Sequence, residues 1–205
     1  MGLLTKQRLV KRINSGQPDQ IFVDPLLSYS QIGGISVDLR LGTDFLVSVP
    51  GDEGYLSVDP EKPHRAAERF FQSVRRDLGN RFLVHPAQAV LATTLEYVGI
   101  PTNAYAEVVS RSSYQRLGLS INSTFQPGYR GCISLELFNL SNAPIELIVG
   151  SRIVQAKFIE IDGAVEYLEG GEDRKYLGNV RPTVSRASRD PELSRLIGLS
   201  AGRRD

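Results

Sequence analysis

Residues 110–158 read SRSSYQRLGLSINSTFQPGYRGCISLELFNLSNAPIELIVGSRIVQAKF. In CISLELFN, residues 132–139, Ile133, Leu135 and Leu137 fall on one side of an extended chain, and Ser134, Glu136 and Phe138 fall on the other. The first set predicts a strand lying on a core. The second places one carboxylate between a small hydroxyl and an aromatic ring. Glutamate is disfavoured in strands, so Glu136 either faces solvent or does chemistry. In SRSSYQRLGL, Ser112 or Ser113 suits a helix N-cap and Gly118 suits a C-terminal stop. The free N–H groups of a helix start attract anions. Arg111 adds a planar fork suited to phosphate oxygens, and Arg116 stands one turn further on. The same segment also reads as a capped surface helix with two solvated arginines. An anion-binding turn beside a strand carboxylate makes proton chemistry on a phosphate-bearing substrate a competing reading.

Outward from this stretch the pattern is mostly short strands punctuated by Gly, Pro and Asn. The candidates are 36–41, 45–49, 82–85, 89–94, 106–110, 132–139, 145–149 and 153–161. Such spacing predicts a sandwich or barrel rather than a parallel α/β sheet. The N-terminal MGLLTKQRLVKRINSG lacks the apolar stretch of a leader and reads as a short helix with Leu9, Val10 and Ile13 on one side. A second helix is predicted from Pro63, with Ala67, Phe70, Phe71, Val74 and Leu78 at helical spacing. Its other face carries Arg65, Glu68, Arg69, Arg75 and Arg76, read as solvated. The pattern weakens after Glu160. This divides the chain into a barrel-forming part, 1–160, and a polar, Gly-rich tail, 161–205, placed to close partly over a ligand. The tail carries a short helix over 191–199.

The 205 residues suffice for one domain with a sizeable core. Net charge is +1, so no strong field recruits nucleic acid or an anionic membrane surface. No apolar run reaches the ~20 residues that cross a bilayer. Cys132 is the single cysteine, which rules out an intrachain disulfide and makes the cytoplasm the default location. The two histidines, His64 and His85, stand far apart and do not suggest a catalytic zinc set.

The stretch quoted above, with several others, resembles the dCTP deaminase family of the dCTP deaminase and dUTPase superfamily. GGISVDLRLGTDF, FLVHPAQAVLATTLEYVGIP, RSSYQRLGL, PGYRGCISLELFN and RKYLGNVRPTVSR fall in the family's order over most of residues 21–186. The resemblance implies a mainly β chain: a distorted, dUTPase-like β-barrel with a few short helices. It also implies a homotrimer with active sites at subunit interfaces. The implied reaction is zinc-independent hydrolysis of dCTP, or a close cytosine nucleotide, to dUTP and ammonia. Magnesium would be carried on the substrate triphosphate. The zinc deaminase signature, His-x-Glu with Pro-Cys-x-x-Cys, is absent.

Leu135–Glu136 match the family's catalytic Leu-Glu, which its dUTPases lack. The catalytic set carried over is Glu136, Arg116 and Ser112. Arg111, Ser112, Ser113 and Arg116 are implied at the phosphates and the reacting end. The backbone of Ser134 and Leu135 is implied at the pyrimidine or sugar. Tyr167, Lys175 and Asn179 are candidates to cover the nucleotide. The sequence departs from the family between Leu119 and Pro127. There the hairpin is shorter, and Gln126 replaces an aspartate expected at the deoxyribose; its neutral amide still bonds a hydroxyl. Two alternatives stay open. One is a dUTP diphosphatase or a bifunctional deaminase-diphosphatase. The other is a non-catalytic nucleotide-binding regulator on the same fold.

Overall fold

The computed structural model describes residues 2–50, 54–62, 66–165 and 176–201. In chain order its elements are β1 (Gly2–Leu3), α1 (Lys6–Ile13), β2 (Phe22–Asp24), β3 (Val37–Ser48), β4 (Phe71–Arg75), β5 (Arg81–Val84), β6 (Ala89–Gly99) and β7 (Ala104–Ser110), followed by α2 (Ser112–Gln115), β8 (Leu119–Ser120), β9 (Asn122–Phe125), β10 (Arg130–Asn139), β11 (Ile145–Ile148), β12 (Arg152–Glu160) and α3 (Pro191–Ala201). No helix among these residues is long and apolar enough to cross a membrane.

The main sheet runs β8-β10-β6-β3-β12-β7-β9, with β2 added to β6, β4 to β3 and β1 to β12. Its first and last members, β8 and β9, are separated in sequence by Ile121 alone. The sheet therefore curls until its two ends meet in one short stretch of chain, as a distorted barrel does. β5 and β11 form a separate two-stranded piece. It is held to the barrel in part by Phe82, stacked on Phe45 at 4.0 Å between ring centres.

Register follows from burial. Ile133, Leu135 and Leu137 are buried, while Ser134 and Glu136 are half-buried and Phe138 is exposed. Slipping β10 by one residue would expose three large apolar side chains, at roughly 1.5–3 kcal/mol each. It would also drive Glu136 into the core. The strand can face only one way, and the carboxylate goes outward.

Two expectations need correction. The strands read at 36–41 and 45–49 are one element, β3, with an irregularity between Leu41 and Phe45 where it pairs with β6. Gly42 sits there because an added Cβ would lie 2.8 Å from the Thr93 carbonyl oxygen. The helix predicted from Pro63, which lies outside the described residues, does not form over the described residues 66–78. Ala67–Phe70 is a single 3-10 turn, and residues 71–75 are strand β4, paired with Asp44–Ser48 of β3. Phe71 and Val74 satisfy helical spacing, but the unpaired side of β3 offers a ladder, and tertiary pairing overrides local pattern. Arg65 lies outside the described residues.

Candidate active site

β10 carries the decisive side chain at the seam of the barrel. One side of the strand is paired with β6 along its length. On the other side, its start meets the C-terminal tail: the Gly178 N–H donates to the Arg130 carbonyl and the Cys132 N–H to the Asn179 carbonyl, both at 2.8 Å. Its end pairs with β8 through Phe138 and Asn139. Between these two contacts, residues 133–137 have no strand neighbour on the seam side among the described residues. On the β6 side the register shifts between Cys132 and Ser134, and the Ile133 N–H turns to the Thr94 hydroxyl at 2.9 Å. Bulges of this kind re-aim side chains beside binding sites.

Over this stretch lies a cavity of about 570 Å³. Ser134, Leu135, Glu136 and Phe138 of β10 line it with Ala89, Leu91 and Ala92 of β6 and with Ser123, Thr124 and Phe125 from β9. Leu56, Ala67 and Phe71 close another wall, and Tyr176, Pro182, Thr183 and Ser185 of the tail complete it. The lining is mainly apolar with a few polar groups, the usual make-up of a small-molecule site. The Ser123 hydroxyl donates to Glu136 Oε2 at 2.7 Å, the one hydrogen bond made by that carboxylate among the described residues.

The Ser/Arg segment lies elsewhere on the surface. β7 runs into α2, whose N-cap is Arg111 rather than Ser112 or Ser113. The Arg111 N–H donates to the Ile153 carbonyl at 2.9 Å, and because a guanidinium has no acceptor the turn has no side-chain cap. Ser112, Ser113 and Arg116 are exposed. Neither Ser112 nor Arg116 bonds to Glu136 or lines the cavity among the described residues. Arg111 is held in place: Asp38 Oδ2 lies 3.4 Å from its Nε, and its Nη1 donates to the Arg152 carbonyl at 3.1 Å. Arg152 in turn lies 3.8 Å from Asp38 and donates to the Ser30 carbonyl and hydroxyl.

A buried network stands beneath Asp38. Glu96 of β6 is fully buried and accepts from the Arg40 backbone N–H (2.8 Å), the Arg40 guanidinium (3.0 Å) and Gln31 (3.1 Å). Gln31 also donates to the Asp38 carbonyl. Burial pushes the Glu96 carboxyl above its ordinary range, outweighing Arg40 and the backbone donors. Burial also raises the Cys132 thiol, and the Glu96 charge adds to the effect.

Of the residues singled out from sequence, the chain brings Ser134, Leu135 and Glu136 into one cavity. The half-buried Arg111 and the exposed Ser112, Ser113 and Arg116 lie apart from that cavity. Gln126 is exposed just past β9. Asn179 uses its backbone on β10 and its amide on Thr183 (3.3 Å), and does not line the cavity. Tyr167 and Lys175 lie outside the described residues. Sequence reasoning missed Asp38 and Arg152 around Arg111, and Ser123 on Glu136. The DLRLG string pointed to Asp38; nothing local pointed to the other two.

A family profile described as dCTP deaminase-like matches residues 3–161. The chain is 34% identical over 200 residues to a Methanobrevibacter smithii protein named "dCTP deaminase, dUMP-forming", covering 95% of this chain and 100% of the relative. It is 34% identical over 196 residues to a Natronomonas pharaonis protein named "dCTP deaminase", covering 93% and 97%. Among solved structures it resembles the 2′-deoxycytidine 5′-triphosphate deaminase from Agrobacterium tumefaciens, with a TM-score of 0.58 and 21% identity over 78% of this chain. The match spans 48% of that longer structure, and the likeness is one of fold.

Proposed function

The chain belongs to the dCTP deaminase-like family, and from that premise we propose how its residues divide the work. It is an enzyme that hydrolyses the exocyclic amine of dCTP and releases ammonia. The observation that carries this reading is Glu136, a carboxylate held on a stretch of β10 laddered on one side only, at the wall of a cavity large enough for a nucleoside.

In the proposed reaction Glu136 takes a proton from water as the oxygen attacks C4 of the cytosine ring. It then returns protons to the ring nitrogen and to the leaving amine. The backbone groups of Ser134 and Leu135 that face away from β6 serve the pyrimidine edge or the sugar, because no strand pairs with that side among the described residues. Phosphates go to Arg111, Ser112 and Ser113. Ser112 also orients the water, and Arg116 stabilises charge near the reacting carbon. Gln126 serves a sugar hydroxyl, and Tyr167, Lys175 and Asn179 belong to the tail that covers the nucleotide.

Ser112 and Arg116 do not reach Glu136 within one chain, so a second copy supplies them. A homotrimer with interfacial sites satisfies this need. Magnesium belongs to the same proposal and enters with the triphosphate. Among the described residues no group of His, Cys, Asp and Glu could hold an ion alone. The ion would be held by phosphate oxygens and water and would neutralise phosphate charge.

The product is the finer question. Several relatives' names specify dUMP, and dUMP from dCTP requires that pyrophosphate leave as well. Our reading is dUTP as the released nucleotide, with the dUMP-forming reaction as the second. Ammonia and pyrophosphate are to be measured together on a panel of cytosine and uracil nucleotides. Ammonia alone supports dUTP, and both in equal amounts support dUMP. Tight binding with neither overturns the enzymatic reading. Glu136→Gln should abolish ammonia release while dCTP still binds, and unchanged turnover removes Glu136 from the mechanism.

A further inference from the structure

We propose that Ser123 is a positioning residue for Glu136, acting across the open seam between β9 and β10. The inference rests on the reading of Glu136 as the group that moves protons. A glutamate on a strand has three side-chain torsions to fix before its oxygens lie at a set place. Leu135 and Leu137 are buried on the opposite face, so they fix the backbone but not the carboxylate. Along the seam no backbone ladder stiffens this part of β10. The Ser123 hydroxyl supplies the missing constraint, donating to Oε2 at 2.7 Å and leaving Oε1 without a partner among the described residues. One oxygen is tied and the other is available to water and substrate.

Ser123 is itself well placed to hold a position. It lies in β9, opposite Val108 of β7. Alternation along β9 turns Ser123 and Phe125 inward and leaves Asn122 and Thr124 exposed. Phe125 packs on the buried Tyr129 ring at 4.9 Å between ring centres, which anchors the strand from below. The short hairpin thus delivers a hydroxyl to the carboxylate from a braced strand. Holding a reacting group in register is worth large factors in rate, since an ångström of misplacement costs on the order of a hundredfold.

The test uses Ser123→Val and Ser123→Thr, two side chains of one shape that both suit a strand and differ in the hydroxyl. They are assayed with the native enzyme and Glu136→Gln on dCTP, with ammonia as readout and thermal melting as a check on folding. Ser123→Val should lose roughly 30-fold in kcat with KM within about twofold, and Ser123→Thr should stay within about threefold of native. Equal kcat for the Val and Thr variants overturns the proposal. So does a raised KM with kcat intact, which would make Ser123 a substrate contact. If Glu136→Gln turns over normally, the reading of the site fails and this inference falls with it. That result is distinct from a normal Ser123→Val beside an inactive Glu136→Gln.

Discussion

Replacing Glu96 by alanine should be among the most damaging single changes in this fold. The carboxylate is fully buried and receives the Arg40 guanidinium, the Arg40 backbone N–H and the Gln31 amide. Alanine leaves all of these donors unmatched, one of them charged and only 12% exposed. Removing one partner of a buried pair costs about 3–5 kcal/mol. A loss of about 4 kcal/mol, with a urea slope of about 3 kcal/mol/M for a chain of this length, lowers the unfolding midpoint by about 1.3 M. The assay is urea unfolding followed by circular dichroism, at fixed protein concentration because assembly feeds into stability. A drop below about 0.3 M would refute the claim that this network holds β3 to β6.

Glu96→Gln adds a test of sign. Burial lifts the folded Glu96 carboxyl above its ordinary value of 4.5. The folded state therefore holds this proton more tightly than the unfolded chain does. Below the ordinary value both states are protonated and the contribution is fully present. It is lost as pH rises through the raised folded value. The native protein should lose stability relative to Glu96→Gln as pH rises through that window. A gain with rising pH would mean that Arg40 outweighs burial.

Two further outcomes are expected. Gly131→Ala should cost about 2 kcal/mol and raise KM for dCTP. Its φ of +152° disfavours a side chain, and a Cβ would lie 2.9 Å from both the Asn179 carbonyl and the Tyr129 hydroxyl, pushing the tail off β10; melting and steady-state kinetics check it. Mixing inactive Glu136→Gln with inactive Arg116→Ala protein under conditions of subunit exchange should restore part of the activity, because some interfaces then combine an intact Glu136 with an intact Arg116. No recovery in mixed oligomers confirmed by mass would place both residues in one subunit's site.

The barrel was legible wherever one face of a strand is buried. Ile133, Leu135 and Leu137 announce β10, and their alternation alone turns Glu136 outward. The 63–78 segment was misread because Phe71 and Val74 satisfy a helical repeat locally, while the free edge of β3 that claims them is far away in sequence. The site was legible as residue types and not as an assembly. Glu136 and the Ser/Arg segment stand out, but their separation within one chain depends on how the sheet closes. Asp38 with Arg111, and Ser123 with Glu136, meet only because β3, β7, β9 and β10 curl into one wall. No local pattern encodes such meetings.

The closure through Ile121 has a consequence for how such an enzyme can change. β8 and β9 are short, and each is laddered on one side to a strand that also pairs elsewhere. The span between β9 and β10, residues 126–129, lies outside every ladder of the main sheet. Gln126, the residue read at the sugar, is exposed in this span and can change without re-laying a strand pair. This part of the recognition surface is thereby uncoupled from the folding core, and a chain can keep its carboxylate while altering what it accepts.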